Sequence, residues 1–90
     1  MTADDFRSEL AALFEAASKA GRRTMVVRWD DLHRAVGGYP GTNHRMPLCC
    51  NVMYAEMVEG ADEVLSAPPS GQGASVAIRY VLPRPGANGD

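Results

Sequence analysis

Ninety residues, 46% hydrophobic and 22% charged, are enough chain for one packed domain and too apolar for a disordered one. A net charge of -2 argues against a protein that coats nucleic acid through bulk positive charge, and no apolar run approaches the roughly 20 residues of a membrane helix. The two cysteines, Cys49 and Cys50, are neighbours in sequence; adjacent residues do not meet disulfide geometry without strain, so both are expected as thiols and a disulfide scaffold is excluded.

The first segment predicts an amphipathic helix, because Phe6, Leu10, Leu13, Phe14 and Ala17 recur at helical spacing. Thr2 suits its N-cap with Asp5 three positions on, Asp4, Asp5 and Lys19 complement the helix dipole, and Gly21 suits the left-handed position beyond the end. Residues 24–29 read as a brief strand. Asp30 then caps a second helix that runs through Leu32, His33, Arg34, Ala35 and Val36 and stops at Gly37 and Gly38.

Residues 37–46 contain Gly37, Gly38, Pro40 and Gly41, so the chain turns there. A third helix is expected over 47–58, opened by Pro47, with Leu48, Cys49, Val52, Met53 and Met57 as its apolar stripe and Gly60 as its stop. Asn51, Tyr54 or Glu56 mark its exposed side. Two strands follow as a hairpin, separated by the proline- and glycine-rich loop 67–74, in which the turn chemistry of 71–74 reads as a flexible tip. In the second arm Val76, Ile78, Tyr80 and Leu82 alternate with Ala77, Arg79 and Val81, the period of a strand with one buried face. Trp29 and Tyr80 are expected as core aromatics. The reading is a single domain over 1–85 with a flexible tail at 86–90.

Charge is distributed unevenly. Arg22, Arg23, Arg28, Arg34 and Arg45 make the middle basic, between an acidic first helix and a segment bearing Glu56, Glu59, Asp62 and Glu63. Acidic residues at the N-terminus, where a secretion signal carries basic ones, make the cytoplasm the expected compartment.

Helix, short strand, short helix, turn, helix, strand, loop, strand resembles a winged helix-turn-helix domain of small bacterial or phage type, an α+β fold. The residues that carry the resemblance are 29–53, with Pro-Pro-Ser-Gly-Gln-Gly-Ala at 68–74 and Ile-Arg-Tyr-Val-Leu-Pro-Arg at 78–84. In such domains the third helix enters the major groove and the hairpin is the wing. The resemblance therefore implies a DNA-binding protein, a small transcriptional regulator, with Thr42, Asn43, His44 and Arg45 at the entrance of the recognition helix and Asn51 on its exposed side. Arginine reads guanine and asparagine reads adenine, while Arg28 and Arg34 suit phosphate contacts. Two departures oppose this: the third helix carries Glu56 and Glu59, and the loop from Pro68 to Ala74 has no Lys or Arg. A homodimer through the acidic first helix or a face of the third would double the surface offered to DNA.

Those departures also suit an alternative, a protein-interaction module such as a phage or mobile-element inhibitor that docks on a host nucleic-acid machine. Its contacts are then Tyr39, Met46, Tyr54, Pro68, Pro69 and Gln72. Zinc is not expected, since Cys49, Cys50, His33 and His44 lack ligand spacing, and no cofactor is expected, since the glycines of 71–74 do not make a phosphate loop. DNA alkyltransferases carry a reactive cysteine in a Pro-Cys-His-Arg core that this chain lacks, and no acid–base pair stands at useful spacing, so the chain reads as a non-enzyme.

Overall fold

The computed structural model describes residues 2–36, 46–71, 73 and 75–84, and the backbone alone of Met46 and Pro47. The turn 37–45 and the tail 86–90 lie outside the described residues. Among the described residues the order is α1 (Ala3–Lys19), β1 (Thr24–Arg28), α2 (Trp29–Val36), α3 (Met46–Ala55), β2 (Glu63–Ser66) and β3 (Ala77–Val81). The strands form an antiparallel sheet in the order β1-β3-β2. The architecture is α+β and its layout is compatible with a winged helix.

Helix α1 starts and stops for local reasons. The Asp5 carboxylate accepts the Thr2 N–H at 2.7 Å while the Asp5 N–H donates to the Thr2 hydroxyl, a reciprocal cap of the kind that contributes about 1 kcal/mol. At the other end Gly21 takes a φ of +83°, and the Arg22 N–H returns to the Ala17 carbonyl at 3.0 Å. The helix buries Phe6, Leu10, Phe14 and Ala17, with Leu13 half-buried beside them.

The boundaries of the next elements differ from the sequence expectation by a residue or more. Strand β1 ends at Arg28, and α2 begins at Trp29, so Asp30 lies inside the first turn and its carboxylate accepts the N–H of Asp31 rather than capping the helix from outside. The Trp29 N–H still bonds the Val76 carbonyl at 2.9 Å, so the chain turns into α2 while holding the sheet ladder. Helix α2 buries Trp29, Leu32 and His33, and His33 sits edge-on to Phe6 and tilted against Trp29.

Helix α3 ends at Ala55, three residues short of the expected Val58. The Glu56 N–H still reaches back to the Val52 carbonyl, but Met57 bonds Tyr54 in a tighter turn and the Val58 N–H is taken by the Asp62 carboxylate at 2.7 Å. Gly60, with φ of +85°, therefore shapes the turn that follows and does not cap the helix. Cys49, Cys50, Val52 and Met53 are buried, while Leu48 and Met57 pack half-buried at the edge of the core.

Strand β3 is the centre of the sheet. Its Ile78 and Tyr80 are fully buried with Val76 and Leu82 beyond its ends, as the alternation required, while Ala77, set by the alternation on the other face with Arg79 and Val81, is buried as well. Tyr80 meets the ring of Phe14 edge-on at 4.8 Å, and its hydroxyl donates to the Met53 carbonyl of α3 at 2.7 Å. That bond satisfies the one polar atom of a large side chain whose burial drives packing. Arg84 closes the core edge: its guanidinium pairs with Asp62, donates to the carbonyls of Glu56 and Val81, and lies 4.9 and 5.0 Å from the Phe14 and Tyr80 ring centres.

Candidate functional site

Helix α3 and the loop joining β2 to β3 meet along one side of the helix. Cys50 and Tyr54 are four residues apart and so share a face. The Tyr54 hydroxyl donates to the Gly71 carbonyl, and the Cys50 sulfur lies 4.0 Å from the Gly73 carbonyl. The loop is also folded on itself: the Gly71 N–H bonds the Pro68 carbonyl at 2.8 Å, and a Cβ at Gly73 would stand 2.8 Å from Pro68 Cγ. Gly71 and Gly73 of the loop are therefore in contact with side chains of α3.

The electrostatics of this region are quiet. Neither α3 nor residues 67–75 carry a charged side chain; Glu56 and Glu59, expected on the third helix, lie beyond its end at Ala55. Burial, reinforced by its neighbour Cys50, pushes the Cys49 thiol up to about 12. Burial also raises Cys50, against the opposing bond to Gly73, and raises the Tyr54 hydroxyl. All three are neutral and unreactive at physiological pH.

Of the residues assigned to DNA, Arg28, Arg34 and Asn51 are exposed, and Thr42, Asn43, His44 and Arg45 lie outside the described residues. Arg28 ends β1 just before α2, its Nε 3.8 Å from the Asp30 carboxylate, and Arg34 stands in the last turn of α2. Most of that helix separates them. Asn51 is on the solvent side of α3. Of the residues assigned to a protein partner, Tyr39, Gln72 and the Met46 side chain lie outside the described residues. Pro69 is exposed, Pro68 is half-buried, and Tyr54 is half-buried through its bond to the loop.

Sequence reading missed a second surface. The large hydrophobic side chains exposed among the described residues, Val26, Val64, Leu65 and Val81, all belong to the sheet. Val26 and Val81 project from the face opposite Val27, Ile78 and Tyr80, in company with Arg28, Arg79 and Glu63. The signal was present in the alternation itself, since Val81 falls out of phase with the core set of β3. Among the described residues no helix is long and apolar enough to cross a membrane. No protein-family model, curated protein or solved structure matches the chain, so its own residues carry the functional argument.

Proposed function

We propose that the chain is a winged-helix module that binds duplex DNA through the N-terminal end of α3, in the manner of a small regulator. The observation that carries this reading is the connectivity α1-β1-α2-α3-β2-β3 with strand order β1-β3-β2, which sets the hairpin loop beside α3. In winged-helix binders those two elements face the duplex together. Chain connectivity brings Thr42, Asn43, His44 and Arg45 immediately ahead of α3, where base-reading side chains enter the major groove. Arg34 and Arg28 supply exposed cations for phosphates.

The test is fluorescence anisotropy of a pooled random duplex titrated at low and moderate salt. Binding that weakens with salt, weakens further in Arg45→Ala and loses part of its salt slope in Arg34→Gln supports the reading. Absence of binding by the folded protein at low salt overturns it.

One specific observation favours a second reading, a module that docks on a protein. Helix α3 and its loop are uncharged, and the Tyr54 hydroxyl bonds the Gly71 carbonyl of that loop, which suits a neutral partner better than a polyanion. Failure to bind any duplex, together with capture of one defined partner that Pro69→Ala weakens, would select it.

A further inference from the structure

Strand β1 is an edge: among the described residues it pairs with β3 and with nothing on its other side. Antiparallel strands exchange backbone bonds at every second residue. The Leu82 N–H donates to the Arg23 carbonyl and the Trp29 N–H to the Val76 carbonyl, both at 2.9 Å, which fixes the alternation. Met25 and Val27 therefore bond toward β3, and the backbone groups of Thr24, Val26 and Arg28 point outward. The side chains of the same three residues are exposed on the open face, Val26 at 47%.

Edge strands are ordinarily blunted by a bulge, a proline or a central charge. The opposite edge, β2, is blunted: it spans Glu63–Ser66, opens with a charge and has an irregular register between Val64 and Ser66. Strand β1 is regular over its whole pairing with β3, contains no proline and has a valine at its centre.

We propose that β1 pairs antiparallel with β1 of a second copy of this chain, centred on Val26, so that two sheets join across a two-fold axis. This register is the one in which every outward residue meets an outward residue: Val26 faces its own equivalent, and Thr24 faces Arg28 of the second copy. The charges select the same partner. In this register Arg22, exposed ahead of β1, falls opposite Asp30 of the second copy just beyond its β1, with exposed Arg23 and Asp31 next to them in sequence, so a basic cluster meets an acidic one and the pairing is reciprocal. A strand of unrelated sequence would complete the hydrogen bonds but not these two charge clusters. The contact differs from either helix face and holds whether the module's ligand is DNA or protein.

Sedimentation equilibrium tests it. Five residues a side make a small contact, so the mass should climb from one chain to two between about 10 μM and about 1 mM. Val26→Pro removes only an outward N–H, leaving the bonds to β3 intact, and Val26→Lys sets like charges against each other across the axis. Both variants, shown folded by the near-ultraviolet signal of buried Trp29, should associate at least about tenfold more weakly. Should Val26→Pro not fold, Val26→Lys decides, because that side chain is already half in solvent. Arg22→Glu with Arg23→Glu should weaken association, and adding Asp30→Lys with Asp31→Lys should restore it. A wild-type chain that stays monomeric throughout, self-association undiminished in Val26→Lys, or no restoration by the reversed charges overturns the proposal.

Discussion

The Asp62 carboxylate and the Arg84 guanidinium meet as a two-pronged ion pair, Oδ1 to Nη1 at 2.8 Å and Oδ2 to Nη2 at 2.7 Å, with the Asp62 side chain wholly out of solvent. The pair ties the turn after α3 to the chain beyond β3. Asp62 also accepts the N–H groups of Val58 and Val81, so its two oxygens hold both segments at once. Removing one partner strands the other charge with little water to replace it. Asp62→Ala is expected to cost about 3 kcal/mol in a urea titration, well above the effect of an exposed pair such as Lys19 with Glu15.

The same carboxylate makes stability depend on acid. Burial alone would raise its pKa, but the Arg84 bonds, the two N–H donors and the Arg84 charge outweigh burial and hold it below the usual carboxylate range. With the folded value depressed, the stabilisation is fully present above the unfolded value of about 4 and is lost as pH falls through the folded one. Urea midpoints measured from pH 7 downward should therefore converge between wild type and Asp62→Asn below about pH 4, with the wild type losing more.

Tyr80→Phe should separate packing from hydrogen bonding in the core. The ring and its contact with Phe14 survive, but the Met53 carbonyl loses a buried donor. A loss of about 1 to 2 kcal/mol is expected by denaturant titration, with no change in the slope of the transition.

Both thiols should be silent in the native protein. Cys49 and Cys50 are fully buried and their pKa values are raised, so a colourimetric disulfide reagent at pH 8 should label neither until the chain opens. Labelling should then count two thiols, at a rate that climbs with urea.

Tyr54→Phe should loosen the loop without touching the core. It deletes the bond to the Gly71 carbonyl while leaving a half-buried ring in place. Global stability should fall by less than about 1 kcal/mol, while amide exchange at Gly71, whose N–H is held by Pro68, accelerates at least about tenfold over the core strands.

What could be read in the sequence was whatever has a local cause. Thr2 with Asp5 announces the start of α1, Gly21 its end, and the alternation from Val76 to Leu82 gives the buried face of β3. What could not be read depends on groups distant in the chain. Nothing near Val58 indicates that α3 stops early, because the carboxylate that takes its N–H is itself fixed by Arg84. Tyr54 reads as a surface aromatic until the loop is brought over it. The edge at β1 depends on strand order, and strand order is a property of the whole chain. Part of the candidate site, Asn51, Arg28 and Arg34, was legible as exposed polar residues, and its relation to the loop was not.

The placement of β3 between two strands that precede it makes the sheet all-or-none in time. Among the described residues neither β1 nor β2 has a strand neighbour until Ala77–Val81 exists, so a ribosome that has delivered every earlier element still holds a chain whose apolar strands are unmatched. The sheet can zip only after that last strand emerges, and β1 must wait for it across some fifty intervening residues, a long closure that slows assembly. A messenger truncated before Ala77 would therefore yield a product for the quality-control proteases, not a partial domain.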